Sequence, residues 1–252
     1  MELMTLPTFE LKSDCLANKI ILVTGASRGI GRALAFAAAK HGATVILLSK
    51  DLKRLESVYD EIVAAGFPEP AIQPTNLRHL DPKQANDIAQ SIQSMFGRLD
   101  AIVHNAGISG PITPIEHIAP EKWQEVIHLN LNVPFLLSKT LLPLLMQSAS
   151  ASILFTAANE GFQAKAYWGA YAASKAGVLQ LAEGLHQELE TNTQIRVNCI
   201  NPGVVRTALR VNAYPGIDPL TFAAPEDIVN NYIYLLSDAA KEVRGKCVQC
   251  MV

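Results

Sequence analysis

Apolar and polar positions along this chain fall into two alternating patterns. Short runs that are mostly apolar rather than alternating predict strands at Lys19–Thr24, Thr44–Leu48, Ala71–Pro74, Ala101–His104, Ser152–Thr156, Gln194–Cys199 and Lys246–Cys250. Between them lie longer segments with helical spacing: an alanine-rich stretch from Arg32 to Lys40, then Leu52–Ala65, Pro82–Phe96, Pro120–Met146 and Ala170–Glu190. Strands that are apolar on both faces suit a parallel sheet covered on both sides. Repeated β–α units with short links predict a doubly wound α/β fold. No repeat, low-complexity tract or domain linker interrupts the pattern, so residues 1–252 are expected to form a single domain. Residues 1–17 read as an N-terminal arm. The Pro- and Gly-bearing stretch from Arg206 to Pro225 is the longest irregular insertion and lies where a substrate loop could sit.

Composition narrows the function classes. The chain has 252 residues and is 49% hydrophobic, enough for one well-buried α/β domain. A formal charge of −2 with no basic run argues against nucleic acid and anionic membranes as partners. Met1 to Asp14 carries acids and Pro7 and has no apolar core of signal-peptide length. The greasiest stretch, Val133 to Met146, is broken by Ser138, Lys139 and Pro143 and is too short to span a bilayer. A cytoplasmic location is the expectation. Cys247 and Cys250 form a lone C-x-x-C in the final predicted strand, where residues three apart point to opposite faces. With no second pair and no histidines at ligand spacing, no metal site is expected.

The sharpest local signal is Thr24-Gly25-Ala26-Ser27-Arg28-Gly29-Ile30-Gly31, between the apolar run Ile20–Val23 and a predicted helix. Strand, glycine turn and helix together bring bare backbone N–H groups and a helix N-terminus against a phosphate. Gly25 permits the sharp exit from the strand, and Gly29 and Gly31 permit close backbone approach and tight helix–strand packing. The expected cofactor contacts are therefore Gly25, Ser27, Arg28, Gly29, Ile30 and Gly31. An acid ending the second strand would accept both ribose hydroxyls of NAD and repel a 2′-phosphate. Here that strand ends Leu48-Ser49-Lys50, with Arg28 as a second cation. Asp51 reads either as the ribose-binding acid or as the cap of the helix beginning at Leu52, with the cap preferred. Lys50 and Arg28 either meet a 2′-phosphate or face solvent. The two cations favour NADP(H) over NAD(H).

A second constellation is Tyr171 and Lys175, spaced i, i+4 on one face of a predicted helix. A free tyrosine has a pKa near ~10, too high for proton exchange at neutral pH. A neighbouring ammonium and a cationic nicotinamide would both favour the phenolate. Tyrosine then becomes a plausible general acid and base.

With this pair in place, the chain resembles the short-chain dehydrogenase/reductase family over nearly its whole length. The resemblance rests on Thr24–Gly31, Asn105-Ala106-Gly107, Asn130, Tyr171-Ala172-Ala173-Ser174-Lys175 and Asn201-Pro202-Gly203 with Thr207, in the family's order. It implies a seven-stranded parallel Rossmann sheet flanked by helices, and hydride transfer between a nicotinamide cofactor and a carbonyl or secondary alcohol. It implies that Tyr171 passes the proton, that Lys175 holds the nicotinamide ribose and tunes Tyr171, and that Asn130 anchors a proton-relaying water. It also implies that Asn105, Ala106 and Gly107 line the adenine-ribose side, and that Pro202, Gly203, Val205 and Thr207 hold the nicotinamide. A homodimer or homotetramer would be usual. The sequence adds support for Asn130: Pro134 lies four residues later and has no N–H, so it cannot donate to the Asn130 carbonyl.

Two departures matter. The family's catalytic serine lies thirteen residues before the tyrosine, and here that position is Ala158. Loss of one such donor typically costs about 10²–10³ in rate. Asn159 is the expected substitute, ahead of Thr156. Asn76 stands where the family has an aspartate for the adenine amino group; its side-chain oxygen can still accept that bond, and Leu77 would supply its backbone N–H. The leading expectation is an NADP(H)-preferring oxidoreductase. The alternative is a catalytically impaired NADP(H)-binding sensor or scaffold, with chemistry lost at Ala158.

Overall fold

The computed structural model describes residues 1–250. Eight strands form one parallel sheet: β1 (Glu2–Met4), β2 (Ile20–Thr24), β3 (Thr44–Ser49), β4 (Ala71–Pro74), β5 (Ala101–His104), β6 (Ser152–Thr156), β7 (Arg196–Asn201) and β8 (Lys246–Gln249). Their spatial order is β1-β8-β7-β6-β5-β2-β3-β4. The seven strands expected from the apolar runs are all present. The eighth corrects two expectations: β1 lies in the supposed N-terminal arm and pairs with β8, placing Glu2 beside Lys246 and Met4 beside Val248. A three-residue strand at a sheet edge is half exposed and carries no apolar run, so periodicity could not reveal it.

Helices cover both faces: α1 (Gly29–Lys40), α2 (Leu52–Ala64), α3 (Pro82–Phe96), α4 (Pro120–Ile127), α5 (Val133–Leu145), α6 (Gly169–Leu189), α7 (Ala208–Ala213) and α8 (Pro225–Leu236). One face buries α1, α2 and α8 around Leu34, Leu55 and Ile233. The other buries α3, α5 and α6 around Ile88, Leu141 and Val178. The inner strands β2, β5, β6 and β7 are buried along their whole length; β2, β5 and β6 are accordingly mostly apolar, whereas β7 buries Arg196, Asn198 and Asn201 as well. Cys247 joins one core and Cys250 the other, so the C-x-x-C is a packing feature. Among the described residues, no cluster of three metal-ligating side chains occurs. No helix is long and apolar enough to cross a membrane.

Two helical expectations are corrected. The stretch 120–146 is not one helix. A π turn, His128–Asn132, separates α4 from α5, and the Val133 N–H reaches back five residues to the His128 carbonyl. Pro134 supplies the reason: it lacks an N–H and its ring clashes with the carbonyl four residues back, so the helix widens instead of continuing. The stretch 206–225 is less irregular than its composition suggests. It holds α7 and a 3₁₀ turn at Pro219–Thr221, and a bridge between Val205 and Ala223 ties its ends together.

The order reverses between β2 and β5, whose onward connections run to opposite sides of the sheet. A crevice opens at such a switch point, outside the carboxyl ends of the strands. The sequence-predicted site residues converge there.

Candidate functional site

The crevice is a single cleft of about 490 Å³ running from the glycine turn to α7. At its first end, the turn after β2 is held by its own backbone. Gly25 (φ +71°) and Gly29 (φ +54°) occupy left-handed backbone that favours glycine. At Gly31 a Cβ would stand 2.3 Å from the Gly25 carbonyl, so only glycine fits beneath the turn. Thr24 is the hinge: its Oγ1 donates to the Val103 carbonyl and accepts from the backbone N–H groups of Asn105 (2.9 Å) and Ala106 (3.0 Å). The Asn105 side chain donates to the Thr24 carbonyl. The two glycine-bearing segments after β2 and β5 are thereby locked together.

Helix α1 begins at this turn with no side-chain cap and no acid in its first turn. The neighbouring helices differ. Asp51 caps α2 by accepting from the Arg54 N–H, and Asp81 and Gln84 form a reciprocal capping box on α3. Uncapped N–H groups with the positive end of the helix dipole suit an anion. Arg28 and Lys50, both exposed, line the cleft beside them, and Ser27 Oγ and Ser49 Oγ share a 2.8 Å hydrogen bond there. Arg54 also lines this end, with its Nε 3.3 Å from Asp51 Oδ2. Asp51 is thus engaged as a cap and ion-pair partner, the preferred of its two sequence readings. A dinucleotide carrying phosphates fits this donor set: glycines that leave room, free helix N–H groups and a cationic rim. Bound, it would be held by Gly25, Ser27, Arg28, Gly29, Ile30, Lys50, Asn76, Leu77, Asn105, Ala106 and Gly107, which all line the cleft. Gly31 does not line it and acts from beneath. Asn76 Oδ1 already accepts from the Arg78 N–H at 3.3 Å, capping a short 3₁₀ turn, and an amide oxygen has a second lone pair to offer.

At the other end, α6 presents Tyr171 and Lys175, with Pro202, Gly203, Val205 and Thr207 opposite. Thr207 also caps α7, its Oγ1 accepting from the Arg210 N–H. Lys175 Nζ donates to the Thr156 carbonyl at 2.7 Å and lies 5.7 Å from the centre of the Tyr171 ring. Burial lowers the ammonium to about 8. The Tyr171 phenol is pushed above its ordinary range, by burial first and by the Glu160 carboxylate second, with Arg210 opposing. The Tyr–Lys spacing predicts a lowered phenol. The protein alone does the reverse, because burial and the Glu160 carboxylate outweigh the Arg210 cation.

Asn130, in the π turn, is buried and does not line the cleft. Its Oδ1 accepts from the Ile108 N–H at 3.0 Å, and its Nδ2 donates to the Ile108 carbonyl and to Ser174 Oγ. It clamps the loop after β5 to α6. A Cβ on Gly107 would meet Asn130 Oδ1 at 3.3 Å and Lys175 Nζ at 3.9 Å, so these three positions adjoin.

Trp168 and Glu160 also line the cleft, beyond the residues expected from the sequence. Ala158 packs with Trp168 and Tyr171 in a small cluster of its own. Glu160 and Arg210 form a loose ion pair, 3.9 Å apart, at the same end. Arg210 also stacks over Tyr214 at 4.2 Å. Trp168 could have been noticed, since i, i+3 spacing places it on the face of Tyr171.

A parallel doubly wound sheet, a glycine turn at its switch point, and a Tyr–Lys pair facing that turn define a nucleotide-dependent oxidoreductase. The profile of the short chain dehydrogenase family matches residues 19–217, and the chain belongs to that family. It is 41% identical over 239 residues to the uncharacterized oxidoreductase YciK of Escherichia coli K12, covering 94% of this chain and 93% of that protein. A short chain dehydrogenase from Pseudomonas syringae superposes with a TM-score of 0.94 at 42% identity, over 97% of this chain and 99% of the other. Another, from Shigella flexneri 2a and complexed with NADP, superposes with a TM-score of 0.92 at 39% identity, over 94% and 99%.

Proposed function

We propose that this chain is a single-domain, NADP(H)-preferring enzyme that moves hydride between the nicotinamide and a small carbonyl or secondary alcohol. The observation that carries the reading is one cleft with an uncapped, cation-rimmed helix N-terminus at one end and the Tyr171–Lys175 pair at the other. The cofactor, when bound, supplies or takes up the hydride at its nicotinamide ring. Tyr171 gives its phenolic proton to the substrate oxygen during reduction and takes it back during oxidation. Its phenol is raised when the protein stands alone, so the positive charge needed to bring it down is that of Lys175 and of an oxidised nicotinamide beside it. Lys175, already relaxed toward 8, holds the nicotinamide ribose. Pro202, Gly203, Val205 and Thr207 position the ring. Asn130 shapes the route to Lys175 by fixing the loop at Ile108. Arg28 and Lys50 read the 2′-phosphate; the NADP bound by the Shigella relative supports this cofactor class.

A second reading has its own observation. Ala158 stands where the family carries a serine hydroxyl, so the chain could bind NADP(H) as a sensor or scaffold without turning substrate over. A screen of carbonyls with NADPH, following nicotinamide absorbance, separates the two: consumption supports the enzyme, and tight binding with no consumption supports the sensor. A cytoplasmic homodimer or homotetramer, with no nucleic acid or membrane partner, completes the proposal.

A further inference from the structure

Ala158 leaves a defined gap in the site, because a methyl group cannot donate a hydrogen bond. A replacement donor has to lie on the side that Ala158 faces. That side is set by its packing against Trp168 and Tyr171. Asn159, the donor expected from the sequence, is drawn elsewhere. Its Oδ1 accepts from Asn201 Nδ2 at 2.6 Å. Asn201 is in turn oriented by the Gly203 N–H on its Oδ1 and by Gln249, 2.8 Å from its Nδ2. Asn159 is therefore tied to Asn201 of β7 through its amide oxygen.

Trp168 remains. It occupies the N-cap of α6, three residues before Tyr171, and is only 4% exposed. Its ring centre lies 5.3 Å from that of Tyr171, at an interplanar angle of 58°. Tyr214 stacks on it at 6.0 Å, and Lys165 Nζ sits 5.9 Å above the ring, so its orientation is clamped. Neither the indole N–H nor the Tyr171 hydroxyl has a hydrogen-bond partner among the described residues. The buried side-chain atoms without partners are His128 Nε2, Glu183 Oε2, Arg196 Nε and Arg210 Nε, and these two groups are not among them. Both therefore keep open area, and both residues line the cleft.

We propose that the Trp168 indole N–H is the second hydrogen-bond donor to the substrate's carbonyl oxygen, beside Tyr171, in the role a serine hydroxyl would hold. An indole N–H donates and cannot accept, so it does not compete for the Tyr171 proton. In reduction, hydride from the reduced nicotinamide adds to the carbonyl carbon and the C=O π bond breaks. The Tyr171 O–H bond breaks as the alcohol O–H forms, and the Trp168 N–H stays intact. A clamped donor costs no reorganisation as charge grows on that oxygen.

The inference rests on the oxidoreductase reading above, and the tests separate the two. Trp168→Phe keeps a ring in place and removes only the donor. With NADPH and a panel of cyclic ketones and β-keto esters, it should lower kcat by about 10²–10³. NADPH affinity, read by fluorescence, should be retained. Adding Ala158→Ser to that variant should restore most of the loss. Full turnover in Trp168→Phe, or no rescue by the serine, overturns the donor role. A readout independent of turnover uses the two tryptophans of the chain. The ¹⁵N-labelled, NADPH-saturated protein shows two indole peaks, assigned with Trp123→Phe. Isobutyramide, a carbonyl that is not reduced, should move the Trp168 peak downfield. If isobutyramide changes the NADPH fluorescence while that peak stays put, the donor role is overturned and the oxidoreductase reading stands. If no panel carbonyl consumes NADPH and isobutyramide alters neither signal, the oxidoreductase reading falls, and this inference with it.

Discussion

At the scale of single residues, the site is a set of opposed demands on a few titratable groups. Tyr171 is raised by burial and Lys175 is lowered by it, so each is pushed toward its neutral form. Tyr171→Phe removes the proton donor and leaves the cleft's shape. It should cut carbonyl reduction by at least about 10² while NADPH still binds, checked by steady-state rates beside fluorescence titration. Lys175 gives a pH prediction. The ammonium is held at about 8, so kcat/KM for reduction should fall as pH rises through that value. Lys175→Ala should remove this limb from the profile. The cations at the far end are proposed to meet the cofactor's 2′-phosphate. Arg28→Ala with Lys50→Ala should weaken NADPH roughly tenfold or more and leave NADH nearly unchanged, since a charge-assisted bond to phosphate contributes about 1.5–3 kcal/mol.

At the scale of elements, the helix ends show the division between folding and function. Asp81 and Gln84 close α3 reciprocally, and Asp81→Ala should cost about 1 kcal/mol with no effect on cofactor binding, read by chemical denaturation. Helix α1 has no side-chain cap on its first N–H groups, an end that an anionic ligand could complete. Gly31→Ala drives a methyl into the Gly25 carbonyl, so it should abolish NADPH binding and lower stability together. These elements were legible in sequence because periodicity and capping are local. Ala71–Pro74, Pro82–Phe96, Ala101–His104 and Ser152–Thr156 coincide with the expected bounds, α1 begins three residues earlier than expected, and the other expected elements outside 120–146 shift by one or two residues. The π turn was half legible: Pro134 announced a lost bond, but how a helix absorbs that loss depends on what packs around it. Strand β1 was not legible, because its pairing with β8 spans almost the whole chain. In the site, the glycine turn and the Tyr–Lys pair could be read from spacing. The Glu160–Arg210 pair could not, because the fold assembles it from separate segments, whereas Trp168, three residues before Tyr171, lay within reach of helix spacing.

At the scale of the whole molecule, burial of Lys175 links the site to global stability. Its pKa is lowered in the folded state, so between about pH 8 and 10.5 the unfolded chain binds more protons than the folded one. Stability from this group is therefore gained as pH rises through that window and is fully present above it, and is lost as pH falls through about 8. Urea midpoints at pH 7.5 and 10, compared between the wild type and Lys175→Met, should show a wild-type contribution that the variant lacks, superimposed on the other titrations. Cofactor binding adds to stability by mass action: at NADPH one hundred times its dissociation constant, about 2.7 kcal/mol. A thermal shift with NADPH that vanishes in Gly31→Ala would locate that gain at the glycine turn.

The π turn carries one more consequence, concerning chain length. A π turn is in effect one extra residue held inside a helix. Removing any one residue from His128–Asn132 would let the backbone close into regular helix, locally the better structure. It would also turn everything on one side by about 100° and draw it in by about 1.5 Å relative to the other. Asn130 would swing off the Ile108 loop and Ser174, or α5 would rotate its apolar face out of the core. The segment should therefore tolerate many substitutions and no change in length, an unusual signature for a stretch of helix far from any loop. A deletion scan through residues 120–145, scored for soluble expression and NADPH binding, would reveal it as a phase mark that substitutions alone would never show.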